Sequence, residues 1–325
     1  MATLYLTEQG SELHKRGESL IVEKDDVELL EVELHRIDSV LIFGNVQFTT
    51  QAVVELLKNN IEMSFLSMSG NLRGQLIPPF AKNVILRNQQ HNQASNNKFV
   101  IKQAREIVRV KIANSLEVLK QADWRRDDDA FIEARNRLKK AVKNVKNTTS
   151  IDELNGIEGS AARAYFDAFA LLLKKGSNLF KGRSRRPPGD PVNALLSFGY
   201  TLLGSRLQSI LNAHGFDPFV GWMHQLDYGR PSLALDLLEP YRAPYIDRWV
   251  VKMFNLSVFK IDDFIPQNDG GQRLTQKALK RFFKEWEKHL ANEEVFKIMR
   301  CQVESAARVI MGKQDFPDHP KFKAH

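Results

Sequence analysis

The sequence predicts an α+β protein, with a small N-terminal β-rich domain followed by a larger all-α C-terminal domain. Short β-favouring runs broken by turn residues fill the first eighty positions. Apolar residues at helical spacing fill most of the chain from about position 98 onward. Between them lies a polar stretch poor in apolar side chains. With 325 residues, 43% apolar and 26% charged, the chain is long enough for two domains and ordinary enough to bury a core without staples. The expected bounds are 1–80 for the β-rich domain, 81–97 for a linker and 98–325 for the helical domain.

The elements follow in order. Thr3–Leu6, Glu12–Lys15, Ser19–Val22 and Val27–Leu34 read as strands separated by Gly10, Gly17 and Lys24-Asp25-Asp26. Ser39–Phe43 is nearly continuous in apolar residues and reads as a buried strand. Thr49 or Thr50 caps a short amphipathic helix that Asn59-Asn60 stops, and Ile61–Leu66 returns as a strand. Ser69-Gly70-Asn71 is a turn leading to Leu72–Ile77. Gly70 and Gly74 are no phosphate loop, because no Lys-Ser/Thr follows and no helix opens there. Pro78-Pro79 closes the block, and the Asn- and Gln-rich run Asn88–Asn97 follows. Helices are then expected through Phe99–Leu119 and Phe131–Val145, and from Ser150, with Glu153 in a capping-box pattern, to about Leu173. Asp190-Pro191 is an N-cap with proline at the first helical position, and that helix should end at Gly215. Further helices are expected near Ala234, Ile246–Met253, Thr275–Leu290 and Glu293–Met311, with a small hairpin around Val258–Phe264 and Asn268–Gly271.

Charge is unevenly spread. Overall it is +8, but positions 1–80 hold six Lys/Arg against twelve Asp/Glu, a net of −6, and the remainder holds 41 against 27, a net of +14. A polyanionic partner for the second part is one reading, and a solvated basic surface is the other. The single cysteine, Cys301, excludes a disulfide framework and a Cys-ligated zinc site within one chain, and fits a reducing cytoplasm. Neither a secretory signal nor a membrane span is expected, and no 20–50-residue repeat is evident.

Three places could carry chemistry. Glu158 falls on the apolar stripe of its helix, four residues after Leu154 and four before Ala162, so it needs a partner, a proton or a metal. A buried ion pair with an arginine satisfies that need equally well. His224 lies in a loop between helices, where ligands often sit and where ordinary surface histidines also sit. Asp236 and Glu239 are three apart on one short helix and share a face, so they repel each other unless a cation or solvent intervenes. Together these are an oxygen-rich set with one imidazole, suited to Mg²⁺ or Mn²⁺. A basic group, Lys181, Arg183, Arg185, Arg186, Arg230, Arg242, Arg248 and Lys252, is interleaved with Trp222, Tyr228, Tyr241, Tyr245 and Trp249 and could grip a phosphate backbone. For Trp222 and Trp249 the expected role is core burial.

Gly156-Ile-Glu-Gly-Ser-Ala-Ala-Arg-Ala-Tyr-Phe166 resembles the first signature of the CRISPR-associated protein one family, the DNA integrase and endonuclease of spacer acquisition. Arg185–Ser197 resembles the second, and Gly221, His224, Gly229–Glu239 and Arg242 resemble the third. Lys111-Ile112-Ala113-Asn114 is similar to a weaker motif in the first long helix, and the resemblance covers nearly the whole chain. One departure is Arg242-Ala243-Pro244, where relatives often have Arg directly followed by Pro.

The resemblance implies metal ligands at Glu158, His224 and Glu239, with Asp236 supporting them. It implies Mn²⁺ or Mg²⁺, a homodimer formed through the N-terminal domain, and a small companion subunit. It also implies double-stranded DNA as both fragment and repeat array, with fragments inserted as new spacers by phosphodiester transesterification. The competing expectation is a non-catalytic nucleic-acid-binding scaffold, in which Glu158 is a structural ion pair.

Overall fold

The computed structural model describes residues 2–59, 61–68, 70, 72–76, 83–121, 128–174, 180–184, 187–224 and 228–323. The chain divides into two compact units, Met1–Lys82 with Lys280–Lys288, and Asn83–Leu279 with His289–His325.

The first unit holds two four-stranded sheets. One has the order β1 (Ala2–Leu6), β5 (Ile37–Phe43), β7 (Glu62–Leu66), β8 (Leu72–Leu76), with the first three parallel and β8 antiparallel to β7. The other has the order β4 (Val27–Glu33), β3 (Ser19–Lys24), β2 (Glu12–Arg16), β6 (Gln47–Phe48). Parallel β5 and β7 need a crossover, and helix α1 (Thr50–Lys58) supplies it. Of the two threonines the sequence offers as caps, it is Thr49 whose side chain accepts from Ala52 N–H at 3.3 Å to start α1. In β5, Ser39, Val40, Ile42 and Phe43 are all buried, which is why the run reads as nearly continuous apolar sequence.

The hairpin between β3 and β4 turns on Asp25 and Asp26, both with positive φ (51° and 61°). A two-residue primed turn requires that geometry, and Asp tolerates it better than most side chains. The short strand β6 was not expected. Leu13, Leu20, Val40, Ile42, Leu56 and Met63 form the middle of the core. The Lys280–Lys288 stretch adds Phe283, whose ring stacks on Tyr5 with centroids 4.3 Å apart.

In the second unit, helices α2 (Val84–Ala94), α3 (Asn97–Lys120), α4 (Asp129–Asn144), α5 (Ile151–Leu172) and α6 (Pro191–His214) come first. Helix α2 lies within the stretch expected to be a linker. Asn83 caps it, accepting from Leu86 N–H at 3.2 Å, and its Leu86 and Gln90 are buried, so two inward side chains suffice despite a mostly polar composition. Helix α6 is buried along most of its length. It starts where Asp190 accepts from Asn193 N–H at 2.7 Å and ends at Gly215, whose φ is 84°.

After α6, a continuous helical run changes pitch three times. It passes from α7 (Ser232–Leu238) through a 3₁₀ turn (Glu239–Tyr241) and a π turn (Arg242–Asp247) into α8 (Arg248–Asn255). Pro240 and Pro244 lack the N–H groups a regular helix needs, which explains the irregularity. The unit is not all-α as predicted. Strands β9 (Phe264–Pro266) and β10 (Gln272–Leu274) form a hairpin, and Gln272 N–H donates to Pro188 O at 2.9 Å. The turn signal at Asn268–Gly271 is correct, but the first strand starts at Phe264, because Ile261–Asp263 forms a 3₁₀ turn. Helices α9 (Gln276–Asn292) and α10 (Val295–Ile310) follow, then a tail without regular structure. No helix among the described residues is long and apolar enough to cross a membrane.

Candidate functional site

The second unit brings charged side chains from three helical segments to one place. Helix α3 supplies Lys111, α5 supplies Glu158, and the irregular run after α7 supplies Glu239 and Arg242. The Lys111 Nζ lies 2.5 Å from Glu158 Oε1 and 2.5 Å from Glu239 Oε2, so two carboxylates hold one ammonium between them. The second oxygen of Glu239 lies 3.0 Å from Arg242 Nε, three residues on. Glu239 is only 5% exposed. Burial alone would raise its carboxyl, but Arg242, Lys111 and His224 outweigh burial and hold it at about 2. For Lys111 likewise, burial opposes the charge and the two glutamates overcome it, leaving the ammonium above its ordinary range.

A second layer lies behind Arg242. Its guanidinium sits 4.4 Å from the Tyr200 ring centroid, and that of Arg183 sits 5.3 Å from the same ring. The Tyr200 hydroxyl donates to Asp247. Burial pushes Asp247 up to about 6, against the pull of the Tyr200 and Tyr165 hydroxyls, Arg183 and Arg242. Burial also drives both tyrosines well above their ordinary range. Lys111, Glu158, Tyr165, Tyr200, Arg242 and Asp247 line one cleft.

His224 and Asp236 form the other half of the site. Asp236 is fully buried, and its carboxylate accepts from the backbone N–H groups of Trp222 (2.5 Å), Met223 (2.8 Å) and His224 (3.1 Å). The same carboxylate lies 2.5 Å from His224 Nδ1. One buried side chain therefore shapes the loop and fixes the imidazole, leaving Nε2 for another partner. Gly221 is required for this. A Cβ there would meet Asp236 Oδ2, Ser232 C and Ser232 Cβ, each at 2.8 Å. Gly221→Ala is expected to displace Asp236 or the loop and cost about 1–3 kcal/mol, as overpacking does. Urea unfolding checks this, and an unchanged midpoint would show that the loop absorbs the methyl group.

The structure thus joins Glu158 to Glu239 through Lys111, and His224 to Asp236 directly. Among the described residues, no three His, Cys, Asp or Glu side chains are close enough together to hold a metal ion. The ion-pair alternative for Glu158 is realised with a lysine rather than an arginine. Asp236 and Glu239, expected on one face, serve different partners, because α7 ends between them and the tightened 3₁₀ turn carries Glu239 toward α3. Lys111 was not counted as a site residue from sequence, although the motif Lys111–Asn114 pointed to its helix.

Of the basic group, Lys181 and Lys252 are exposed and Arg230 is half-buried. Arg183 is engaged with Asn193 Oδ1 (2.8 Å) and Ser197 Oγ (3.1 Å). Arg242 is engaged with Glu239, and Arg248 pairs with Glu293 at 2.5 Å. Arg185 and Arg186 lie outside the described residues. Trp222 and Trp249 are buried at 3% and 2% exposure, the core role, whereas Tyr228 is fully exposed.

The fold and the site together define an α+β protein whose helical unit gathers carboxylates, a lysine and an oriented imidazole from segments far apart in sequence. The chain belongs to the family of CRISPR associated protein Cas1, whose sequence model matches residues 4–288. It is 32% identical to a CRISPR-associated exonuclease Cas4/endonuclease Cas1 fusion of Geobacter sulfurreducens, covering 98% of this chain but only 60% of the fusion. It is 34% identical to a CRISPR-associated endonuclease Cas1 of Rhodospirillum rubrum, covering 90% of this chain and 87% of the relative. Among solved structures, the fold is that of a casposase bound to integration product (TM-score 0.85, 22% identity, 100% of this chain and 95% of that one). It also matches a chain of a Cas6-RT-Cas1–Cas2 complex (TM-score 0.80, 27% identity, 99% of this chain and 36% of that one).

Proposed function

We infer that the protein is a metal-dependent DNA endonuclease and integrase of CRISPR adaptation, inserting DNA fragments as new spacers by phosphodiester transesterification. One observation carries the mechanism: the carboxylates of half-buried Glu158 and buried Glu239 share a single cation, and a buried aspartate fixes the His224 imidazole. The names of the relatives and the Cas1 family membership support the reaction class.

The donor types, two carboxylates and an imidazole, suit a hard divalent ion, although these side chains do not lie close enough together in this structure to hold one. Glu158 and Glu239 already bracket a positive group, and the His224 ring has the carboxylate-backed orientation typical of metal-binding imidazoles. Glu158, Glu239 and His224 Nε2 would hold Mn²⁺ or Mg²⁺. When bound, the ion supplies Lewis-acid stabilisation at the scissile phosphate. Arg242, its guanidinium over the Tyr200 ring, keeps Glu239 ionised. Lys111 balances the two carboxylates, and Asp236 locks the imidazole through Nδ1. In strand joining, the 3′-hydroxyl oxygen of a fragment would bond to the target phosphorus as the bond from that phosphorus to the target strand's own 3′-oxygen breaks, the proton passing to the departing oxygen through solvent. In hydrolysis water would take the fragment's place. Strand joining with and without chelator tests the reading. Joining that proceeds fully in excess chelator would favour the non-catalytic scaffold, for which the Lys111 bridge is only a structural ion pair.

The substrate would be double-stranded DNA, gripped by the basic group that includes Lys181, Lys252, Arg185, Arg186 and Arg230. Arg185→Ala with Arg186→Ala is expected to weaken binding uniformly across sequences. It should reduce the slope of log K against log salt by about two, near one per lost phosphate contact. A salt titration of duplex binding measures this, and an unchanged slope would remove that pair from the interface. A homodimer through the β-rich unit is supported by β4, a sheet-edge strand with Val27, Leu29 and Leu30 exposed. A small companion subunit agrees with the solved Cas6-RT-Cas1–Cas2 complex. The proposed compartment is the cytoplasm, where the exposed Cys301 would stay reduced.

A further inference from the structure

We propose that the C-terminal tail, residues 316–322, is a positioning element for Glu239, fastened by Asn114 and Gln302. The proposal rests on the reading of Glu239 as a functional carboxylate.

The argument starts from the backbone around Glu239. In a regular helix the Pro240 carbonyl would accept from the N–H four residues on, but that residue is Pro244, which has none. The loss of that regular donor leaves the buried carbonyl open to a side-chain donor. Asn114 Nδ2 supplies it at 2.7 Å, from one turn beyond Lys111 on α3. The same helix thus meets Glu239 twice, through its side chain at Lys111 and through the next backbone carbonyl at Asn114. On the other side of Glu239, Gln302 Nε2 donates to Leu237 O at 3.2 Å, and the Tyr241 hydroxyl donates to Gln302 Oε1 at 3.1 Å.

Each amide uses its remaining capacity on the tail. Asn114 Nδ2 also donates to Pro320 O at 2.8 Å, and Asn114 Oδ1 accepts from Phe322 N–H at 3.0 Å. Gln302 Nε2 donates to His319 Nδ1 at 2.8 Å. Asn114 is 2% exposed, Gln302 is fully buried and His319 is 6% exposed. Further on, Asp318 N–H donates to Ser305 Oγ at 2.7 Å, and the Phe322 ring lies under the Arg248 guanidinium at 4.8 Å. The tail has no regular structure, yet its buried polar partners converge on the backbone that flanks Glu239. With the tail in place, both N–H donors of each amide are used and each amide is held in one orientation. Without it, each amide would lose partners and could turn away from Pro240 and Leu237.

The test uses the full chain. Asn114→Asp keeps the side chain's size and its acceptor for Phe322 N–H but removes both donors. The expected result is a tenfold to hundredfold weaker Mn²⁺ affinity by electron paramagnetic resonance, as for other residues that orient metal ligands. The kcat for strand joining should fall in parallel, with the KM for DNA unchanged. Deleting residues 316–325 should do the same, and a peptide of that sequence added in trans should restore kcat. Where the deletion fails to fold, Asn114→Asp and Gln302→Glu carry the test. Folded variants that keep Mn²⁺ affinity and kcat within twofold of wild type overturn the proposal. Glu239→Ala serves as reference. If it leaves Mn²⁺ affinity unchanged, the reading of Glu239 fails and this proposal with it. If it weakens affinity while Asn114→Asp does not, only the tail's role fails.

Discussion

Replacing His224, Glu158 or Glu239 by Ala is expected to lower strand joining by about three orders of magnitude or more, some 4 kcal/mol of transition-state stabilisation. His224→Ala is the cleanest of the three. The Asp236 carboxylate would keep its three backbone N–H donors, so the loop stays closed and only the imidazole is lost. Glu158→Ala leaves Lys111 paired to Glu239, and Glu239→Ala leaves it paired to Glu158, so neither strands the ammonium. Glu239→Ala does remove the carboxylate from Arg242, which then keeps the Tyr200 face and its attraction to Asp247. Far-UV circular dichroism should match wild type in all three. A variant that joins strands within tenfold of wild type would remove its residue from the reaction.

Lys111→Ala is expected to have the largest effect on stability, about 3–5 kcal/mol, as when one partner of a buried charge pair is removed. Glu158 and Glu239 would then face each other without the group that neutralises both, and Arg242 compensates only Glu239. Denaturant unfolding at neutral pH measures the loss, and a loss below about 1 kcal/mol would show that water replaces the ammonium without penalty. Adding Mn²⁺ should recover more stability in this variant than in wild type, because the ion would meet two uncompensated carboxylates.

The dependence on pH has a definite sign. Glu239 sits at about 2 in the folded chain against an ordinary 4.5, so the unfolded chain binds the proton more readily. Its contribution is fully present above about pH 4.5 and is lost as pH falls toward 2, roughly 3 kcal/mol in all. Without Lys111, that acid-side loss should shrink, because part of the field that depresses Glu239 is gone. An acid unfolding profile no flatter than wild type would contradict this account.

The β-rich start, a cap at the Thr49-Thr50 pair, the Asp190-Pro191 helix start and the Gly215 stop are all legible in the sequence. Each depends on neighbours within a few positions, where periodicity and capping chemistry act. The same locality explains what was misread. Helix α2 has two buried side chains and little amphipathic signal, so its composition resembles a linker. Strands β9 and β10 are three residues each and depend partly on Pro188, far back in the chain. The chemistry of Glu158, His224, Asp236 and Glu239 was visible as residue types within recognisable motifs. Their partners were not.

By itself the sequence determined the passage from a strand-rich start to a mainly helical remainder, the division of charge and the presence of an acid–histidine–acid set, because these follow from side-chain type and short-range spacing. Only the tertiary structure decided that one lysine joins Glu158 to Glu239, that Asp236 holds both a loop and an imidazole, and that the tail fastens the backbone beside Glu239. Those pairings join residues 12 to 208 positions apart, and the one to Glu239 also turns on the pitch of a proline-broken helix. Burial and hydrogen-bond saturation select them only after the helices have packed.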